Sequence, residues 1–196
     1  MKKLLMTLIL ITSVSILSTA QMVIKPGIGL NFTHLSGDPL TREQTGRLGW
    51  QIGGTLAFGQ EFYLEPGIFW MKNNWDLQEL AIDGDRKLKN DISSLRIPVF
   101  VGWNVVGSAD DDRNFHIFAG PAAMIVTKTN TETTGLTPDD FNKFILGANI
   151  GAGLSINKIF IDVGYEWGLN DIYKDDADHV KSRNLWINAG FRLTFL

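Results

Sequence analysis

The chain ends, from Asn184 to Leu196, in "NLWINAGFRLTFL". Apolar residues fill every second position: Leu185, Ile187, Ala189, Phe191, Leu193 and Phe195. Between them stand Asn188, Gly190, Arg192 and Thr194. A period of two is the mark of a β-strand. The stretch is too short and too interrupted for a membrane helix, and too apolar on one side for a strand that faces water. Its fold depends on which solvent that apolar side meets.

The same alternation recurs along the chain and predicts eight strands, near residues 23–33, 47–58, 61–72, 92–104, 114–128, 141–156, 159–170 and 184–196. The fifth is apolar on both faces, so its register stays open. Gly59-Gln60 and Asn157-Lys158 read as tight turns, and 105–113 as a modest link. The stretches near 35–46, 73–91, 129–140 and 171–183 read as long polar loops. Short turns on one side and long loops on the other, with an even strand number, is the pattern of an outer-membrane barrel. Both termini then lie on the periplasmic side. The prediction is all-β: an eight-stranded antiparallel up-and-down transmembrane β-barrel, after a cleaved signal peptide.

The leader is read from residues 1–20. Lys2 and Lys3 precede an apolar run from Leu4 to Leu17, and Ser18-Thr19-Ala20 supplies small residues before Gln21. This is the layout of a secretory signal, and the run is short for a bilayer span. Removing 20 of the 196 residues leaves a 176-residue barrel domain, 21–196, with 16 basic and 21 acidic side chains and a formal charge of −5. Beyond Gln21 no run approaches the ~20 apolar residues of a transmembrane helix.

A soluble lipocalin-like barrel, apolar inside, competes with a membrane barrel, apolar outside. The composition of the polar face decides. It is rich in glycine, which weakens a strand and packs nothing on a wet surface. In a narrow lumen, small residues leave room for large charged ones across the barrel. Parity turns Lys25, Arg96 and Arg192 inward with Glu65, Asp162 and Glu166, three charges against three. Buried charges need partners, so these six are expected to form an ion-pair network that plugs the lumen. On the apolar face, Phe58, Phe62, Phe115 and Phe195 fall near the short turns, and Trp50, Trp70 and Trp167 toward the long loops. Two aromatic girdles are expected at the bilayer interfaces. Trp186 breaks the pattern by turning inward. Pro26, Pro66, Pro98 and Pro121 lie inside strands, and each is expected to mark a bulge or a lost ladder bond.

Asn188-x-Gly190-x-x-Leu193-x-Phe195 resembles the C-terminal β-signal read by the barrel-assembly machinery, with Leu196 following the usual terminal aromatic. With the leader, eight strands and the stretch "FHIFAGPAAMI", the chain resembles the PorT-like outer-membrane β-barrel family over nearly all its mature length. The resemblance implies a bacterial outer-membrane location. It implies outer-membrane lipid, periplasmic chaperones and the assembly machinery as partners. The family is defined by architecture, so a secretion role is not carried over.

No catalytic, cofactor or metal constellation emerges. His34, His116 and His179 read as lone surface histidines, with no Ser-His-Asp grouping at local spacing. Asp110-Asp111-Asp112 and the group Asp175, Asp176, Asp178 and His179 lack EF-hand spacing and read as solvated loop charge. "GIGLNF" lacks the third glycine of a dinucleotide loop, and Asn31-Phe32-Thr33 sits in a predicted strand. The absence of cysteine excludes disulfides, a thiolate metal site and N-terminal cysteine lipidation. The acidic balance argues against nucleic acid. Eight strands enclose little beyond their own side chains. Function is therefore expected in the long loops or in envelope integrity: adhesion, or contact with a ligand or an extracellular or envelope partner of unidentified kind. A narrow solute channel and a membrane-embedded lipid-modifying enzyme are the alternatives.

Overall fold

The computed structural model describes residues 21–36, 42–79, 86–108, 111–131, 141–172 and 180–195. The expected leader, 1–20, lies outside them. The strands are β1 (Met22–Ser36), β2 (Arg42–Gly59), β3 (Phe62–Glu79), β4 (Arg86–Val106), β5 (Arg113–Thr131), β6 (Phe144–Ile156), β7 (Ile159–Gly168), β8 (Lys181–Phe191) and β9 (Leu193–Phe195). The ninth is the continuation of the eighth past Arg192, since both pair with β1 in one register. Each strand is antiparallel to its chain neighbours, and β1 pairs with both β2 and β8, which closes an eight-stranded barrel. Among the described residues, no helix is long and apolar enough to cross a membrane.

The register fixes the shape. From Leu30, pairing leads through Trp50 to Lys72 on β3. The other way round, through Ile187, Val163, Ala152, Ile117 and Trp103, it leads to Phe62 on the same strand, ten residues away. At ~3.3 Å per residue and ~4.7 Å between strands, that stagger tilts the strands by roughly 40° and gives a radius of about 8 Å. Such a barrel is filled by its own side chains.

Large apolar side chains stand on the outside, among them Ile28, Ile52, Phe62, Ile150, Leu154, Leu185 and Phe191. The inside holds Lys25, Glu65, Arg96, Asp162, Glu166, Asn31, Gln51 and Asn149, all buried. Strand five resolves in the same sense, with Asn114, His116, Phe118 and Met124 inward and Ile117, Pro121 and Ile125 outward.

Glycines make room beside themselves rather than across the barrel, as the sequence reading had it. Tyr63 pairs with Gly102, and Trp186 with Gly164. A Cβ on either glycine would overlap the ring of its partner. The large side chain therefore lies over the neighbouring strand.

The prolines mark lost ladder bonds, not bulges. Pro26, Pro66, Pro98 and Pro121 each keep pairing on one side, with Gly54, Val99, Ala122 and Ala148. On the other side each coincides with a gap: Pro26 toward β8 and β9, Pro66 toward β2, Pro98 toward β3, Pro121 toward β4. Register is unchanged across every gap, because proline removes one donor and leaves the opposite ladder intact. The register shifts lie elsewhere, at Arg47/Trp50, Ser93/Ser94 and Asn104/Val106.

The short connections are Gln60-Glu61, Asn157-Lys158 and 107–112. Gly59 (φ 126°) and Asn157 (φ 51°) supply the left-handed conformations their turns need. The strands outrun the sequence prediction at the opposite end. Pairing continues to Arg42↔Glu79, Glu79↔Arg86 and Asn90↔Thr131, so much of three long loops is extended ladder.

Orientation makes a direct prediction. Ile187 is on the outer face inside the apolar band, between buried Trp186 and Asn188. Ile187→Lys is expected to destabilise the barrel by about 1–3 kcal/mol in urea unfolding from phospholipid bilayers. A neutral or stabilising effect would overturn the outward assignment of the apolar face.

Candidate functional site: the lumenal charge layers

The six predicted lumenal charges do not form one network. They form two clusters and a separate arginine. In the first cluster, Lys25 Nζ lies 2.7 Å from Asp162 Oδ2 and 3.1 Å from Glu65 Oε1. Thr55 donates its hydroxyl to Glu65. The ammonium also lies 4.7 Å from the Phe160 ring centroid. Alternation on β1, β3 and β7 turns these three ionic residues to one side, and the register places them at one level.

His116 completes this cluster, which overturns its reading as a surface histidine. It is 3% exposed. Its Nε2 lies 2.9 Å from Asp162 Oδ1 and its Nδ1 2.8 Å from Asn114 Oδ1. Both ring nitrogens thus face side-chain oxygens. The signal was missed because the strand around it is apolar on both faces. Gly153 lies opposite His116 and Asp162 on β6, and a Cβ there would collide with both side chains.

In the second cluster, Arg96 meets Glu166 through Nε (2.8 Å) and Nη2 (2.7 Å). Nη2 also donates to Asn149 Oδ1 (2.7 Å), which accepts from Trp186 Nε1 as well (3.2 Å). Phe100, Phe118 and Trp186 form a buried aromatic layer between the clusters. The Arg96 guanidinium lies over the Phe100 and Trp186 rings, and His116 lies 6.1 Å from the Phe118 ring. The inward tryptophan is thus accounted for: its ring fills the lumen and its N–H finds an amide.

Arg192 is inward and buried, at the short-turn end. Nη2 donates to the carbonyl oxygens of Asp111 (2.6 Å) and Asn157 (3.1 Å), tying two turns to the β8–β9 junction. With Lys25, Glu65, Tyr63, Asn104 and Ser155 it lines a small cavity. At the other end of the lumen, Met71, Ile92, Met124, Phe141, Ile145, Ile172 and Val180 form an apolar cap.

The remaining predicted residues fall as follows. Trp50, Phe62, Trp70, Trp167 and Phe195 are exposed on the outer face, and Phe58 is half-buried there. Phe62 stacks on Trp103 with centroids 6.0 Å apart. Asn188 points inward and accepts from Gln51 Nε2 at 2.6 Å. Gly190 passes so close to Pro26 that a Cβ would strike its carbonyl. Leu193 and Phe195 pair with Ile24 and Met22. Asp111 Oδ2 accepts from the Ser108 backbone N–H at 2.7 Å. Asp110, His179, Asp175, Asp176 and Asp178 lie outside the described residues. Among the described residues, no group of three metal-ligating side chains gathers.

Residues 17–174 match the family model "Outer membrane protein beta-barrel domain". The chain belongs to this family. It is therefore a bacterial outer-membrane barrel. Among solved structures, it is similar to the outer membrane protein OprG from Pseudomonas aeruginosa, at 14% identity and a TM-score of 0.53, over 90% of this chain and 96% of that one. It is also similar to Neisserial surface protein A, at 13% identity and a TM-score of 0.46, over 89% and 97%. At these identities the first likeness shows the shared fold. No curated protein matches the chain.

The layered arrangement sets an order of sensitivities. Arg96→Ala leaves Glu166 buried without its cation and is expected to cost about 3–5 kcal/mol. Arg192→Ala, at the barrel end, is expected to cost less. Urea unfolding in micelles, followed by the band shift between folded and unfolded barrel on semi-native gels, measures both. An Arg192 variant as unstable as the Arg96 variant would overturn the order.

Proposed function

We propose that this family member is a closed-lumen outer-membrane barrel that acts through its extracellular face: adhesion, or binding of a ligand or an envelope partner. The single supporting observation is the stacking inside the barrel. An ion cluster, an aromatic layer, a second ion cluster and an apolar cap follow one another from the short-turn to the long-loop end. A barrel filled this way is a scaffold, and recognition then belongs to what the scaffold holds up. What it holds up is substantial. From Trp50 to Arg42 strand β2 runs eight residues above the aromatic level, about 26 Å along the strand, paired with β3 throughout most of that length.

On this reading residues 1–20 are an export signal. Periplasmic chaperones escort the chain, and Asn188, Gly190, Leu193 and Phe195 present the assembly signal to the barrel machinery. The closing seam fits that role, because the same segment pairs with β1. Kinship to PorT-like barrels within the family is part of the proposal. So is the absence of a catalytic role, since the buried His116 is held by Asp162 and Asn114 inside the lumen.

One observation favours a narrow conduit as the second reading. Asn31, Gln51, Asn184 and Asn188 line the β8–β1–β2 side of the lumen with uncharged amides, opposite the apolar cap residues of β3–β6. Planar-bilayer recording separates the two. A purified, refolded barrel that gives no steady single-channel current supports the closed scaffold. A reproducible current that changes with Gln51→Leu assigns the amide lane as a path and overturns it.

A further inference from the structure

We propose that Gln21 is a modification site: once the leader is removed, it cyclises to pyroglutamate, and the mature barrel begins with a neutral lactam. The inference rests on the export reading of residues 1–20, which gives Gln21 the new α-amine. A glutamine in that position holds an amine and a carboxamide on one side chain's length, the spacing that closes a γ-lactam. The lone pair of the α-nitrogen attacks Cδ, the Cδ–Nε2 bond breaks, and ammonia leaves with one proton of the amine. The step consumes no oxidant, reductant or second substrate.

The barrel ties this residue down. The Gln21 carbonyl oxygen accepts from the Gly59 backbone N–H at 3.1 Å. The next residue, Met22, pairs with Phe58 on one side and Phe195 on the other. Position 21 thus sits on the seam where the first and last strands meet. It shares the inward parity of Val23 and Lys25 and is buried with them. Among the described residues, neither Nε2 nor Oε1 of its amide has a hydrogen-bond partner. Gln51, an inward glutamine deeper in the bore, donates to Asn188. A buried carboxamide unpaired at both ends is costly. Ring closure removes its –NH2 group and merges its carbonyl with the chain terminus, so fewer polar groups are left to satisfy.

The charges at this end point the same way. Cleavage alone would leave an α-ammonium at the mouth of the lumen. Among the described residues, the inward carboxylates of this half are Glu65 and Asp162, and both already hold Lys25. Arg192 brings a second cation to the same end. Glu61, Asp111 and Asp112 lie in the turns and are exposed, where an ion pair contributes little. A cation set into the bore without a buried acid is costly. The lactam nitrogen carries no charge, so cyclisation removes that cost from the strand that must close the barrel.

The test is the mass of the protein as the bacterium makes it. Cells are lysed directly in acidic denaturant, which stops cyclisation after extraction, and the intact chain and its N-terminal peptide are weighed. The expected chain is 21–196, lighter than its sequence by one ammonia, with an N-terminus that resists amine labelling until pyroglutamyl aminopeptidase is added. A chain that starts at Gln21 with its full mass and a free amine overturns the proposal and leaves the export reading standing. A chain that starts at any other residue overturns the export boundary, and the proposal with it. The role of the lost charge is tested on one sequence in two forms. Recombinant chain beginning at Gln21 is refolded with and without prior treatment by glutaminyl cyclase, and urea unfolding is followed on semi-native gels. The cyclised form is expected to unfold at the higher urea concentration, while Gln21→Asn, too short to close the ring, shows no change on treatment. Equal midpoints for the two wild-type forms overturn the charge argument.

Discussion

Hydrocarbon offers no partner to a backbone N–H or C=O, and each group left unpaired there costs several kcal/mol. Every other property of this barrel follows from that. A sheet in such a solvent has no tolerable edge, so β1 must meet both β2 and the β8–β9 segment. Closing only eight strands leaves a bore of about 8 Å radius. Side chains that parity sends inward have nowhere to go but against each other. A lysine in that space needs acids, and Lys25 has two. An arginine needs a carboxylate, and Arg96 finds Glu166 through Nε and Nη2, with Asn149 accepting from Nη2 as well.

The same crowding explains why glycine and bulk come in adjacent pairs. Tyr63 over Gly102 and Trp186 over Gly164 let two large rings pass over the wall beside them, and Trp186 meets Phe100 and Phe118 in the aromatic layer. The prolines show how much ladder can be surrendered. Each forfeits pairing on one side and keeps it on the other, and since register holds across each gap, the losses stay local. Pro66, Pro98 and Pro121 fall on three consecutive strands, so the gaps run as a diagonal through the wall instead of accumulating in one seam.

The parts legible in the sequence are those that two solvents impose. Between lipid and lumen, alternation is enforced, and it gave strand number, facing and the inward turn of Trp186. Above the membrane no hydrocarbon imposes the alternation. The period-two signal then vanishes although pairing continues, and that is why the ladder from Arg47 to Arg42 and from Lys72 to Glu79 reads as loop. His116 was missed for the converse reason. With Phe115, Ile117 and Phe118 around it, no polar alternation revealed which side was inside. Parity could place charges in the lumen but not sort them by height. That sorting depends on the ten-residue stagger, which only the register shows, and it separates Arg96–Glu166 from Lys25–Glu65–Asp162 by an aromatic layer.

Height also governs the outside. Because strands tilt by roughly 40°, residues at one depth are not those that pair directly, and a level around the rim is invisible as a sequence motif. Lys181 and Arg183 are two residues in a polar stretch, and Trp167 stands fourteen residues before Lys181. Pairing brings Arg183 beside Trp167 and His34, above Phe32 and Leu185, and so turns scattered cations into a surface of defined depth. Interior and exterior are then under separate control. The lumenal residues must satisfy one another in a closed space and tolerate little change. The outward residues above the aromatic level answer only to lipid headgroups and to what lies beyond them, which is where a barrel with a filled bore has freedom to acquire specificity.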